Sequence, residues 1–244
     1  MCDLAFQDII YSREGGFSII TLNRPDNMNA FSLTMLKEIH KAINLVEKDE
    51  KIRVLVITGT GRAFCTGADV KAMAQGQVAT SLQKSFNGAA MSEANLSLRL
   101  RNLEKPVIAA INGYAVGGGL DFALSCDIRI ASDQAKLAEV FIRRGLVPVD
   151  GGTHFLPALV PIDKACDLIW TGDMVEAHEA LTMGLVTKVV PHVKLMESTK
   201  GLAGRIAENN PLLLALSKRL IYKHWQMSLE RAVDSLSEIL ELSD

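Results

Sequence analysis

The sequence is poor in cysteine, in aromatic residues and in net charge. Of its 244 residues only 5% are aromatic, and the formal net charge is −2. A net charge this close to zero gives no indication of a basic surface for nucleic-acid binding. No apolar run is long enough to span a membrane. The first ten residues contain acids and lack the basic region of a signal peptide, so we expect a cytoplasmic protein. The four cysteines are too irregularly spaced to indicate a zinc site or a disulfide framework: Cys2, Cys65, Cys126 and Cys166.

Several common catalytic motifs are also missing. There is no GxSxG nucleophile elbow, no HExxH pair and no GxxxxGK[ST] loop, so we expect no metal site. Gly113 and the triplet from Gly117 to Gly119 follow a predicted strand, as in dinucleotide folds, but they do not match GxGxxG. A dinucleotide site is therefore kept only as an alternative.

Apolar residues make up 48% of the chain, enough for a large core, and their spacing changes along it. Strands and helices alternate in the first half, whereas helices dominate the second, which indicates an α/β fold. We place a core at residues 1–190 and a helical region at 191–244. The predicted strands are 6–11, 17–22, 53–58, 107–111, 128–131, 135–140 and 185–190, and the main predicted helices are 32–48, 82–103, 155–159, 163–170, 176–183, 194–209, 211–225 and 229–240. Ser32 is the expected cap of the first helix, whose single apolar face would be formed by Leu33, Leu36, Ile39, Ile43 and Val46. The polar, mixed segment 70–83 is expected to be mobile.

Residues 106–127 carry the strongest local signal. A buried strand is followed by Gly113 and the glycine triplet, and a helix begins at the triplet with Asp121 in its first turn. Bare N–H groups at a helix start suit an anion or a developing oxyanion. The alternative is a helix packed closely on a strand, with Asp121 complementing the helix dipole.

A second strand ends in the same way. Residues 54–58 are followed by Gly59 and Gly61, and then by the segment 64–69. Two such junctions could each supply one N–H group to a single oxygen, and each donor would contribute about 3–4 kcal/mol to stabilising a developing anion. Each junction alone also fits an ordinary turn between a strand and a helix.

Taken together, the two junctions and several other segments resemble the enoyl-CoA hydratase/isomerase (crotonase) superfamily. The similar segments follow the family's order through most of the chain: 19–25, 29–31, 61–69, 105–119, Cys126-Asp127, 145–148, 151–153, Thr171-Gly172 and 180–190. The resemblance implies a spiral of ββα turns, helical trimerisation into a homotrimer or a dimer of trimers, and an acyl-CoA thioester as substrate. Coenzyme A would be part of the substrate, and no other cofactor is implied.

The resemblance also assigns roles to residues. The thioester oxygen would lie between the backbone N–H groups of Thr66 and Gly118, where the family more usually has alanine in place of Thr66. The residues assigned to substrate or CoA binding are Ala63, Ala68, Asp69, Gly117 and Phe141. Family members usually continue beyond a helix like 229–240 into another with basic and aromatic residues, whereas the sequence given stops at Asp244.

The acid and base residues depart from the family pattern. Hydratases of the family use two glutamates, and here Asp121 and Phe141 stand at those two places. A phenyl ring cannot transfer a proton, so we assign Asp121 and Asp150 as catalytic. Some relatives that act on aromatic degradation routes carry an aspartate in the loop of Asp150, one position earlier. Glu139 is an alternative, directed either to the side of Phe141 or to solvent, and Asp150 could instead cap a helix at Thr153.

These observations predict an enzyme that stabilises a thioester enolate. Hydration of an unsaturated, possibly cyclic or dienoyl, CoA ester is our first expectation, and double-bond isomerisation is the second. The different-class alternative, motivated by the loss of the second glutamate, is an acyl-CoA-binding protein without catalysis.

Overall fold

The computed structural model describes residues 6–69, 95–148 and 150–241. Most of the predicted helix 82–103, and the segment 70–83 that we expected to be mobile, lie outside these residues. Within the described residues, no helix is both long enough and apolar enough to cross a lipid bilayer.

In the described residues, ten strands form two sheets. The strands are β1 (Ile9–Glu14), β2 (Phe17–Leu22), β3 (Val54–Gly59), β4 (Ala63–Cys65), β5 (Val107–Ile111), β6 (Tyr114–Val116), β7 (Ile128–Ser132), β8 (Lys136–Ala138), β9 (Val175–Glu176) and β10 (Lys188–Val190). The larger sheet has the order β1-β2-β3-β5-β7-β10, and the smaller has the order β4-β6-β8-β9.

Successive strand pairs are divided between these sheets. Strands β3, β5 and β7 lie side by side and parallel in the larger sheet, and each is followed by β4, β6 or β8 in the smaller one. Each pair therefore makes one turn of a spiral, and the turn that contains β5 and β6 continues directly into a helix. This arrangement of ββα units confirms the predicted fold class.

The described helices are α1 (Leu33–Lys48), α2 (Leu96–Asn102), α3 (Gly118–Leu124), α4 (Gly152–Leu159), α5 (Ile162–Thr171), α6 (Ala177–Met183), α7 (Leu195–Ala207), α8 (Pro211–His224) and α9 (Leu229–Glu241). Ser32 caps α1 as predicted, because its Oγ accepts a hydrogen bond from the Met35 N–H at 2.9 Å. The expected apolar face of α1 is wrong at Leu33, which is exposed at the first helical position. Met35 and Ala42 are buried on this face instead.

The larger sheet is covered on both faces, which explains why residues 54–57 of β3 and all of β5 are apolar. Alternate residues of these strands enter two separate hydrophobic clusters. Helix α7 closes one cluster with Leu195, Ala203 and Ala207. The first long helix of the predicted region 191–244 thus packs on the core sheet, and the division at residue 190 stays a prediction.

Helix α8 is held to the core by a buried ion pair. Lys218 Nζ lies 2.8 Å from Asp127 Oδ2, and both side chains are largely buried. The same ammonium donates to the backbone oxygens of Leu100 and Lys105, while Tyr222 donates its hydroxyl to Asp127 at 2.6 Å. Burial lowers the pKa of Lys218, and the adjacent Asp127 opposes that change.

We expect Lys218→Met to lower the free energy of unfolding by about 3 kcal/mol or more, because it leaves the Asp127 carboxylate buried without its cation. The matched control is Arg219→Met, which removes the exposed pair between Arg219 and Glu104 and should cost about 1 kcal/mol or less. Urea denaturation of both variants measures the difference. Equal losses would contradict the anchoring role of Lys218.

Candidate active site

The two strand-end junctions are in direct backbone contact. Strands β4 and β6 pair in parallel, with Cys65 opposite Ala115. A Cβ atom added to Gly119 would lie 2.1 Å from the carbonyl oxygen of Cys65, and one added to Gly67 would lie 2.9 Å from the backbone nitrogen of Gly118. Only glycine permits this approach at position 119. The contact brings the segment after β4 against the start of α3.

The predicted oxyanion donors lie on these adjoining segments. Gly118 is the first residue of α3, so its N–H group belongs to the helical turn that has no intrahelical acceptor. Thr66 immediately follows β4 and is half-buried. Its hydroxyl donates to the backbone oxygen of Met28 at 3.3 Å, which leaves the threonine N–H independent of its side chain.

Two asparagines fix the loop that leads to Thr66. Asn29 Nδ2 donates to the backbone oxygens of Thr60 and Ala63, at 2.9 and 2.7 Å. Asn112 Nδ2 donates to those of Gly61 and Ala63, at 2.9 and 3.0 Å. Ala63, predicted to bind CoA, is therefore a buried residue that orders the loop. Sequence reasoning assigned no role to either asparagine, although both lie in the segments that resemble the family.

The segment after Thr66 is hydrogen-bonded and ion-paired to residues 24–31. The Phe31 N–H donates to the Gly67 oxygen at 2.8 Å, and the Asp69 N–H donates to the Phe31 oxygen at 3.3 Å. Arg24 Nη2 lies 3.3 Å from Asp69 Oδ2. The predicted CoA-binding residue Asp69 is therefore engaged in an ion pair, while Ala68 beside it is half-buried.

Two carboxyl groups are fully buried beside α3. Asp121 lies in the first turn of this helix, and Glu139 directly follows β8. The Gly117 N–H donates to the Ala138 oxygen at 2.8 Å and so brings the end of β8 to the start of α3. A Cβ atom on Gly152 would lie 2.4 Å from Asp121 Oδ1 and 3.1 Å from Glu139 Oε1. Glu139 is thus directed inward, and the expectation that it could face solvent is wrong.

The two carboxyl groups require a proton. In the described part of the chain, no other hydrogen-bond donor meets the Glu139 oxygens, and besides Glu139 only the backbone N–H of Asp150 approaches the Asp121 carboxyl group. A proton on one lets it donate to the other, and their side chains are in hydrogen-bonding contact in that form. Burial raises the pKa of both groups, and the nearby Asp150 raises them further.

Asp150 lies at the edge of this pair and is not fully buried. A Cβ atom on Gly118 would lie 3.0 Å from Asp150 Oδ2, so the carboxyl group is directed at the start of α3. Burial raises the pKa of Asp150. Helix α4 begins at Gly152 with Gly151 as its N-cap residue. Asp150 therefore does not occupy the capping position that we weighed as its alternative role.

Phe141 places an apolar ring beside the same backbone. It lies in the 3₁₀ helix Val140–Arg144, and two of its ring carbons are 3.8 Å from the position of a Cβ atom on Gly117. The structure thus brings together Thr66, Gly117, Gly118, Asp121, Phe141 and Asp150. Within the described ranges, no three histidine, cysteine or acidic residues form a group that could hold a metal ion.

Comparison with known proteins gives a consistent result. The family model for enoyl-CoA hydratase/isomerase matches residues 12–241. The chain is 37% identical over 236 residues to the short-chain-enoyl-CoA hydratase of Clostridium acetobutylicum, covering 96% of this chain and 88% of that protein. It is also 37% identical over 231 residues to the crotonyl-CoA hydratase of Syntrophomonas wolfei, covering 94% and 87%.

Solved structures agree with these sequence matches. The crystal structure of an enoyl-CoA hydratase from Bacillus anthracis superimposes with a TM-score of 0.88 at 34% identity, covering 96% of this chain and 90% of that one. The same spiral of ββα units and the near full-length family match lead to one conclusion. This chain belongs to the enoyl-CoA hydratase/isomerase family.

Proposed function

We propose that this protein adds water to the double bond of a 2-enoyl-CoA thioester. The observation that carries the proposal is the direct contact between the Thr66 and Gly118 segments, beside the carboxyl groups of Asp150 and Asp121. Backbone donors next to acids with raised pKa values provide both requirements of this reaction, a site for an enolate oxygen and a group that moves protons. The hydratase names of the relatives at 37% identity support the same reaction.

In the proposed mechanism, the thioester carbonyl oxygen accepts hydrogen bonds from the N–H groups of Thr66 and Gly118. Water attacks the β-carbon and gives a proton to Asp150, while the double-bond electrons move onto the thioester as an enolate. The enolate then collapses and its α-carbon takes a proton from Asp150, which returns to its starting state. Each N–H donor would contribute about 3–4 kcal/mol to the enolate-like transition state.

The remaining assigned residues have supporting roles in this proposal. Gly117 and Phe141 would line the acyl chain, and the apolar ring would keep the site dry. Ala68 and Asp69 would flank the adenine of CoA, with Ala63 ordering the loop behind them. Asp121 would act from behind Asp150, because its oxygens are sealed from solvent and its negative charge helps to raise the pKa of the neighbouring Glu139.

Double-bond isomerisation is the second candidate, and one observation favours it. Phe141 occupies the place of a second acid, and of the three clustered carboxyl groups only Asp150 is not fully buried. A single accessible acid suffices to move a proton between the α- and γ-carbons without water. A non-catalytic acyl-CoA-binding role is the alternative of another class.

Exposed apolar side chains support an oligomer. Trp170 on α5, Leu213 on α8 and Leu229 on α9 are 71%, 63% and 80% exposed. We propose that these helices help form the homotrimer or dimer of trimers that the family resemblance implies, which sedimentation equilibrium can test.

Turnover of crotonyl-CoA in H₂¹⁸O and D₂O separates the candidate functions. Hydration incorporates ¹⁸O at C3 and deuterium at C2, whereas 3-enoyl-CoA isomerisation incorporates no ¹⁸O. Tight CoA-ester binding without turnover of crotonyl-CoA, a cyclic dienoyl-CoA or 3-enoyl-CoA would overturn both enzyme proposals.

We expect Asp150→Asn to lower kcat by about 100-fold or more, because the amide cannot accept the proton of water. Asp121→Asn should lower kcat by about tenfold or more through the loss of the charge behind Asp150. Asp163→Asn, at the exposed start of α5, is the matched control and should leave kcat unchanged. Full activity of both site variants would show that the acid and base are elsewhere.

We expect Gly118→Ala to lower kcat by about tenfold or more, because the backbone N–H group is kept but the acid–base carboxylate is displaced. The added methyl group would meet Asp150 Oδ2 at 3.0 Å and displace the carboxylate from the donor segment. The control is Gly201→Ala in α7, where a Cβ atom has no neighbour within 4 Å. Steady-state kinetics of both variants test this prediction, and unchanged kcat in Gly118→Ala would contradict the assigned site.

A further inference from the structure

Glu139 is a buried acid that the proposed mechanism does not use. Its side chain is fully buried at the end of β8, and its oxygens have no donor among the described residues except the carboxyl group of Asp121. An ionised carboxylate in such a place would carry the full cost of desolvation. A protonated one can donate its O–H to Asp121 and satisfy both groups with one hydrogen bond.

The surrounding backbone is built to hold these two groups together. Hydrogen bonds from the Gly117 N–H to Ala138, and from the Asp121 N–H to Gly117, fix the positions of both side chains on adjoining elements. Gly152 lies against both carboxyl groups with no room for a Cβ atom, which would lie 2.4 Å from Asp121. The pairing is therefore fixed by three segments of the fold.

We propose that Glu139 is a positioning residue that stays protonated at neutral pH and donates its O–H to Asp121, thereby fixing the orientation and the ionisation of Asp121. This inference rests on the proposed function for its kinetic consequence, but the location of the proton can be measured without any substrate. The titratable groups that face Glu139 are Asp121 on α3 and Asp150 in the loop before α4. Near Asp150, the Cys65 thiol is neutral because burial raises its pKa to about 12.

The first test is the pH dependence of stability. Burial raises the pKa of Glu139 above its unfolded value of about 4.3. The folded state therefore retains the Glu139 proton above that pH, so the contribution of Glu139 to stability is greatest at low pH and falls as the pH rises. Glu139→Gln should flatten this fall and raise the melting temperature at pH 8 by about 3 °C or more. It should also remove an infrared C=O band of a protonated carboxyl group.

The second test compares a pair of variants in turnover. Glu139→Gln keeps an N–H donor for Asp121, whereas Glu139→Leu has a similar size and no donor. We expect Glu139→Leu to lower kcat by about tenfold with KM unchanged, and to move the acid limb of the pH profile up by about one unit, since Asp121 loses its hydrogen bond. Glu139→Gln should restore most of this loss.

The control is Glu176→Gln on β9, which removes an exposed carboxylate from the strand paired with β8 and should change neither the infrared band nor the pH profile. The proposal would be overturned if the stability of Glu139→Gln depended on pH as the wild type does, or if the Gln and Leu variants had identical kinetics. If the wild-type protein turns over no enoyl-CoA, the proposed function fails, while the stability slope and infrared band still decide where the proton resides.

Discussion

The rest of the site depends on one close contact, the approach of the Gly119 backbone to the carbonyl group of Cys65. The two segments are so close that no side chain fits between them. This contact joins consecutive turns of the spiral and places the N–H groups of Thr66 and Gly118 on adjoining segments. The hydrogen bonds from Asn29 and Asn112 to Ala63 hold one side of it rigid. In the proposed function, backbone donors fixed in this way would need no rearrangement as charge develops.

The same spiral geometry also brings three carboxyl groups close together. Asp121, Glu139 and Asp150 come from three segments, and the parallel strands β6 and β8 bring two of them to one end of the smaller sheet. Burying three carboxyl groups together is costly unless protons are retained. The raised pKa values of these three groups are therefore a direct consequence of the packing.

Much of the fold could be predicted from the sequence because its signals are local. Apolar strands, the Ser32 cap and the turn glycines set the elements and most of their boundaries. Leu33 was misplaced because periodicity alone does not show that the first helical position lies beyond the packed face. The assignment of Ala63 and Asp69 to CoA binding rests on the family resemblance and stays a prediction; the structure adds that the first orders a loop and the second pairs with Arg24. Such partners are distant in sequence.

The sequence by itself determined the family, the strand–glycine junctions and the absence of an acid at Phe141, since each is carried by residue identities in a contiguous segment. Only the tertiary structure decided that Glu139 faces Asp121, that Asp150 is directed at Gly118, and that Gly152 must lack a side chain. These facts depend on how β8, α3 and α4 meet. The proton that Glu139 and Asp121 share depends on the packing of these elements, because the desolvation that raises both pKa values is imposed by the buried surroundings and not by either residue alone.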